Sequence, residues 1–247
     1  IDFVFTLCGG HISPILTGCE NIGIRVLDVR NEATAVFAAD AVSRISGNVG
    51  IAIVTAGPGL TNTITAIKNA QMAQVPIVII SGATATVLKN KGSLQDIDHI
   101  SIVRSLTKFS GIVKSVKDIQ PLLHGAIEVA QSDLPGPVYL EIPVDILYSE
   151  SIVREWYGLK SKSSSMPWWL TKYLNWNVNR IFKNKNQKYI HPPPINESKN
   201  IDVHLNYLSE ILNSSDKPLL LLGSQANIFT EDSEVFIESL KKLNIPI

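Results

Sequence analysis

Two short stretches carry residue types that could do chemistry. Glu32 follows the apolar run 24–29 and opens a helix that is otherwise small and apolar, with Ala33, Val36, Phe37, Ala38, Ala39 and Ala41. A carboxylate placed there either complements the helix dipole or faces a ligand, and Asn31 before it is suited to cap the helix. Gly57-Pro58-Gly59 follows the apolar run 49–55, and Asn62 lies one helical turn beyond. Two glycines around a proline give a tight turn that lets backbone approach a flat ligand. His11 after Gly9-Gly10, and His99 after Gln95-Asp96-Ile97-Asp98, can carry a proton near neutral pH, although a lone histidine is more often a surface or satisfied loop residue.

Other chemistries lack their signatures. The Gly57 turn lacks the Gly-Lys-Ser/Thr ending of a phosphate loop, and no G-x-G-x-x-G follows a strand-like run. There is no nucleophile elbow, and no His/Cys/Glu cluster has metal-ligand spacing.

The elements that must position these residues follow from periodicity. Strand-like runs at 2–8, 24–29, 49–55, 76–81, 109–116 and 138–142 alternate with helical patterns at 13–21, 33–45, 60–73 and 119–131. Ser13 is a candidate cap for the first helix and Pro14 suits its first turn. The Val/Ile run at 76–81 marks a strand buried on both faces. Such alternation predicts an α/β fold with a doubly wound parallel sheet. Ligands in these sheets sit beyond the carboxyl ends of the strands, so the loops at 9–11, 30–32 and 57–59 should share one edge.

Composition adds bounds. The chain has 247 residues, 45% of them apolar, and a formal net charge of zero, which gives no nucleic-acid signal. Residues 149–200 break the alternation; 151–200 are strongly basic and hold all four tryptophans, with Pro192-Pro193-Pro194 near their end. A shift that sharp marks a boundary between structural units. The strand–helix rhythm restarts with a helix at 201–213, a strand at 218–222, a Gly223-Ser224-Gln225 loop and a helix at 231–243. Cys8 and Cys19 lie in apolar contexts and read as reduced core thiols. No apolar run is long enough to span a bilayer. The chain begins in a strand-like run without an initiator Met, as a piece of a longer protein would.

Read together, Gly9-Gly10 and Pro14, Arg30-Asn31-Glu32-x-x-Ala35, Thr55-Ala56-Gly57-Pro58-Gly59-x-x-Asn62, Asn69-Ala70, Pro76, Gly82 and Gln95 closely resemble the pyrimidine-binding domain of thiamine-diphosphate enzymes, in the acetolactate synthase and 2-hydroxyacyl-CoA lyase branch. The resemblance is dense over 1–148 and resumes at 201–247, where residues 218–225 resemble the opening strand and loop of that family's central α/β domain; residues 149–200 are then an interdomain segment. It implies that Glu32 hydrogen-bonds N1′ of the aminopyrimidine and favours the tautomer that activates the cofactor. It implies that Pro58 and Asn62 line the pyrimidine pocket, with Gln95 on the substrate side and His11 near it. Mg²⁺ and the diphosphate belong to a C-terminal domain of the family, and the pyrimidine half of one subunit faces the diphosphate half of another. A homodimer or homotetramer is therefore implied, and this stretch alone should be inactive. The substrate would be a 2-hydroxyacyl-CoA, cleaved to formyl-CoA and a shorter aldehyde, or a 2-oxo acid such as pyruvate. A scaffold that retained the fold without activity is the remaining alternative. The family usually has His where this chain has Asn31, which can cap a helix but cannot titrate.

Residues 166–183 place Trp169, Tyr173 and Trp176, and Leu170, Leu174, Val178 and Ile181, at helical spacing, while Lys172, Asn175, Asn179, Arg180 and Lys183 fall mainly elsewhere. Such a helix either lies on an anionic membrane surface or packs across its own enzyme with tryptophans as anchors. The segment resembles that of membrane-associated members of the branch, which implies the cytosolic face of the endoplasmic reticulum membrane, or else the cytoplasm.

Overall fold

A computed structural model describes residues 1–160, 166–189, 201–223, 226 and 233–246, excepting the side chains of 201–203 and 233. It divides into two compact units, 1–189 and 190–247.

The first unit is built on six parallel strands: β1 (Phe3–Leu7), β2 (Arg25–Asp28), β3 (Gly50–Val54), β4 (Ile77–Ala83), β5 (Phe109–Ile112) and β6 (Val138–Pro143). Their order is β2-β1-β3-β4-β6-β5. The order runs one way from β1 to β2 and the other way from β3 to β4, so a crevice opens between the loops that follow β1 and β3. The order turns again where β6 inserts between β4 and β5. Register pairs Phe5 with Ala52 across β1 and β3, and Ile80 with Leu140 across β4 and β6.

Helices α1 (Ser13–Asn21), α2 (Glu32–Ser46), α3 (Pro58–Thr61), α4 (Ile64–Met72), α5 (His99–Val103), α6 (Ile119–Gln131), α7 (Val144–Leu147), α8 (Glu150–Trp156) and α9 (Trp168–Phe182) follow in chain order. Strand alternation divides the core in two. One side buries Ile51, Ile53, Val78, Ile80, Val138 and Leu140 with residues of α1, α6, α8 and α9. The other buries Ala52, Val54, Ile77, Ile79 and Tyr139 with residues of α2 and α4.

Helix α2 lies very close to the sheet. A Cβ at Gly50 would collide with the Ala39 carbonyl, and Ala35 and Ala39 are fully buried beside it. Small residues at the contact permit this approach, which fixes where the first turn of α2, and so Glu32, meets the sheet edge. Asn31 caps α2, its Oδ1 accepting from Ala33 N–H at 2.9 Å.

Several expectations need correction. Ser13 is the first helical residue rather than the cap; its hydroxyl donates to Gly9 O, and Ile12 stands at the cap without a side-chain bond. The helix expected over 60–73 breaks at Asn62 and Thr63 into α3 and α4. Cys8 is exposed and Cys19 half-buried, because Cys8 lies past the end of β1 where side chains leave the sheet. Residues 149–189, expected as interdomain, belong with the first unit: Val153 of α8 and Val178 and Ile181 of α9 are fully buried in its core. The aliphatic side of α9 provides that packing, and the tryptophans are not the anchors.

The second unit contains α10 (Ile201–Ser214) and α11 (Ser233–Lys242). Residues 218–223 are not a strand; Leu220 N–H donates to Pro246 O at 3.0 Å, with no ladder around it among the described residues. A strand needs neighbours to complete its hydrogen bonds. Ser224, Gln225 and Ile247 lie outside the described residues.

Candidate active site

Glu32 is 7% exposed, although it is an acid at the end of a helix. Its Oε2 accepts from Asn62 Nδ2 at 2.9 Å, and its Oε1 has no hydrogen bond among the described residues. The break between α3 and α4 is what frees Asn62 to reach back to Glu32. A Cβ on Gly59 would fall 3.7 Å from Glu32 Oε1 and 2.6 Å from the Thr55 methyl. The carboxylate therefore borders a turn from which side-chain bulk is excluded.

Gly57 holds φ 64° and ψ −116°, a conformation open to glycine. A Cβ there would fall 2.9 Å from Gln95 Cβ, so Gln95 sits directly on the turn. Gln95 itself has φ +63°, a strained setting for a non-glycine residue. Pro58, at the apex, is exposed.

His11 is half-buried and packs against Gly82 of β4, where a Cβ would collide with its own. Its Nδ1 lies 3.5 Å from Thr55 Oγ1. Thr55 thus touches His11 on one side and Gly59 on the other. Burial, above all, holds the His11 imidazole below its usual value, so the ring is neutral at physiological pH.

The proton-carrying role considered for His99 does not fit its setting. The ring is 1% exposed and both nitrogens are engaged. Gly57 N–H donates to Nε2 at 2.9 Å, so Nε2 must accept and Nδ1 must carry the proton. Nδ1 donates to Glu141 Oε2 at 2.9 Å, and Glu141 Oε1 accepts from Lys89 Nζ at 2.9 Å. Burial alone would raise the Glu141 carboxyl, but the hydrogen bonds from His99 and Lys89 and the charge of Lys89 outweigh it and hold the group below its usual range. His99 is a positioning residue: it fixes the Gly57 turn from behind.

Glu141, Lys89 and Thr55 are functional candidates that sequence reasoning missed. Glu141 had a signal, an acid within an otherwise apolar strand run, since a buried carboxylate needs partners. The structure brings Glu32, Asn62 and the Gly57–Gly59 turn into one site, seats Gln95 on that turn, and joins His11 to it through Thr55. Among the described residues, no group of three His, Cys, Asp or Glu could hold a metal ion.

An aromatic ring edge fits this arrangement. One carboxylate oxygen is unengaged beside a flat turn, and the two glycines that form the turn cannot carry a side chain without collision.

Residues 1–102 match the family described as thiamine pyrophosphate enzyme, N-terminal TPP binding domain. The chain is 44% identical over its full length to the 2-hydroxyacyl-CoA lyase 2 of Danio rerio, of which it covers 40%, and 44% identical to that of Homo sapiens, of which it covers 39%. It is 39% identical over 151 residues, 61% of the chain, to the acetolactate synthase large subunit of Mycobacterium tuberculosis, of which those residues cover 28%. The chain thus spans about 40% of the length of the curated lyases it matches. With a six-stranded parallel sheet and a carboxylate poised at its carboxyl edge, the first unit is thus similar, over residues 1–102, to the N-terminal TPP binding domain of thiamine pyrophosphate enzymes.

Proposed function

We propose that the whole protein is a thiamine-diphosphate-dependent 2-hydroxyacyl-CoA lyase. The observation that carries this reading is Glu32, held by Asn62 with one oxygen turned to the Gly57–Gly59 turn, in a chain similar to lyases along its whole length. In the overall reaction the bond between C1 and C2 of a 2-hydroxyacyl-CoA breaks. The hydroxyl-bearing carbon becomes an aldehyde one carbon shorter, the thioester carbon becomes formyl-CoA, and the proton lost by the hydroxyl is balanced by the one gained at the formyl carbon.

Thiamine diphosphate, when bound, supplies the electron sink for that cleavage. Glu32 Oε1 would hold a proton at the pyrimidine ring nitrogen, with Asn62 fixing the carboxylate. Pro58 would line the ring, and Gln95 and His11 would face the substrate side. Mg²⁺ would accompany the diphosphate on residues beyond this chain, and a second copy would complete the site in a homodimer or homotetramer.

The complete protein, supplied with thiamine diphosphate and Mg²⁺, is expected to release formyl-CoA from a 2-hydroxy fatty acyl-CoA. Acetolactate formed from pyruvate, with no formyl-CoA from the acyl-CoA, would overturn the lyase in favour of a carboligase. Neither product would favour a scaffold that retained the fold.

We further propose that α9 rests on an anionic membrane surface, placing the protein on the cytosolic face of the endoplasmic reticulum membrane rather than free in the cytoplasm. Trp168, Trp169 and Trp176 are 76%, 60% and 59% exposed, and Arg180 lies over the Trp176 ring. Aromatic rings beside basic residues suit a headgroup layer. No described helix is long and apolar enough to cross a membrane. Replacing the three tryptophans by alanine is expected to weaken co-flotation of the complete protein with phosphatidylserine vesicles at least tenfold; unchanged flotation would sink the idea.

A further inference from the structure

The loop that follows β4 and the helices α8 and α9 line a cavity of about 570 Å³. Its walls include Ala85, Val87, Leu88, Leu170 and Leu174, and His11 is among its lining residues. The exposed side chains of Leu88, Leu94, Trp156 and Tyr173 mark its outer rim. His11, half-buried against the sheet edge at Gly82, marks its inner end.

Lys91 and Tyr173 also line the cavity, but several of the other polar wall groups are engaged elsewhere. Tyr157 OH donates to Asp145 Oδ2 at 2.7 Å, and the Thr84 and Ser93 hydroxyls bond to each other. Burial, with the Asp145 carboxylate beside it, pushes the Tyr157 phenol well up, so it remains a donor. A cavity with few directional groups to offer selects for apolar bulk. The cavity is also braced. Asn177 of α9 donates to Thr86 Oγ1 at 2.9 Å, and the Thr86 hydroxyl and N–H both donate to Asp145 Oδ2, so α9 is tied to the loop after β4 and to α7.

We infer that this cavity holds the alkyl chain of the substrate, with the reacting carbons at the His11 end and the far end of the chain towards α9. His11 serves both places, because the same ring that lines the cavity lies against Thr55, which touches the Gly59 turn beside Glu32. Residues Ala85, Leu170 and Leu174 are then specificity-determining. The inference rests on the acyl-CoA reading above and deepens it, since it assigns chain-length selection to residues of this chain.

The test uses the complete protein with thiamine diphosphate and Mg²⁺ and a series of 2-hydroxyacyl-CoA substrates. For wild type, kcat/KM should rise about fourfold per methylene over the part of the chain that is buried, the ratio that corresponds to about 0.8 kcal/mol per CH₂. Leu170→Trp on α9 and Ala85→Leu on the loop after β4, both lining the cavity, should flatten that slope. Both should cost at least tenfold on the longest substrate and leave the shortest within about twofold, with thermal melting confirming that each variant folds. A slope that neither variant alters would overturn the inference. Binding of cis-parinaric acid, read by energy transfer from the tryptophans of α8 and α9, provides an activity-independent readout and should weaken at least tenfold in both variants. If wild type cleaves no acyl-CoA of any length, the lyase reading falls, while parinaric acid binding still decides the cavity: unchanged binding in the variants overturns it, and selective loss upholds an alkyl site.

Discussion

Replacing Glu32 by glutamine in the complete, cofactor-supplied protein is expected to lower kcat by about 10²- to 10⁴-fold, the range assigned to a positioned proton-transferring group. The substitution is nearly isosteric. A glutamine amide oxygen can still accept from Asn62 Nδ2, so the 2.9 Å contact that orients the side chain survives. What changes is the atom facing the Gly57–Gly59 turn, which becomes an amide that cannot exchange a proton with a ring nitrogen. The stability cost should be small, about 0.3–1 kcal/mol for the loss of a negative charge at a helix N-terminus. A melting temperature near wild type with turnover largely lost would therefore localise the effect to chemistry. Turnover within about threefold of wild type would remove Glu32 from the mechanism, and with it the proposal that this chain activates the cofactor. Asn62→Ala is a graded companion: the carboxylate keeps its charge but loses its tether, so a smaller fall is expected.

Glu32 was legible as a site candidate only in combination with the Gly57 turn and Asn62. By position alone, an acid opening a helix of alanine and valine, with a capping Asn31, could as well have complemented the helix dipole. The Gly57 turn was legible locally, since Gly-Pro-Gly after a buried strand predicts a tight bend. The sheet's parallel nature followed from alternation, but its order did not, because pairing of β4 with β6 joins segments about sixty residues apart and leaves no local trace. Helix α9 shows the same limit. Aliphatic residues at 170, 174, 178 and 181 and aromatic residues at 169, 173 and 176 both recur at helical spacing. Periodicity fixes the helix but not the side that faces inward. The core of the first unit chooses the aliphatic side, leaving Trp168, Trp169 and Trp176 outside. His99 and Glu141 were the least legible pair: each is unremarkable in its own segment, and only the sheet brings them to 2.9 Å.

That pair predicts the largest loss of stability. His99→Leu removes the acceptor for Gly57 N–H and one of two donors to Glu141 at once. Each buried group left without its partner costs about 1–3 kcal/mol, more for a charged one, so a total of roughly 3–5 kcal/mol is expected. For a unit of this size, each kcal/mol lowers Tm by about 2–4 °C, which places the shift near 10 °C. Lys89 cannot compensate, because its partly exposed ammonium already serves the other Glu141 oxygen. The charge itself can be read separately through pH. Glu141 is held below its ordinary value of 4.5 in the folded chain. A depressed carboxyl contributes stability that is fully present above the unfolded value and is lost as pH falls through the folded one. The Tm difference between wild type and Glu141→Gln should therefore be constant above about pH 4.5 and close progressively below it. A difference that grows in acid would reverse the assigned direction. If the pair positions the turn, conservative variants that still fold should raise the Kd for thiamine diphosphate while kcat at saturating cofactor stays close to wild type. A fall in kcat with unchanged cofactor affinity would instead place His99 in the chemistry, which its two engaged nitrogens and 1% exposure argue against.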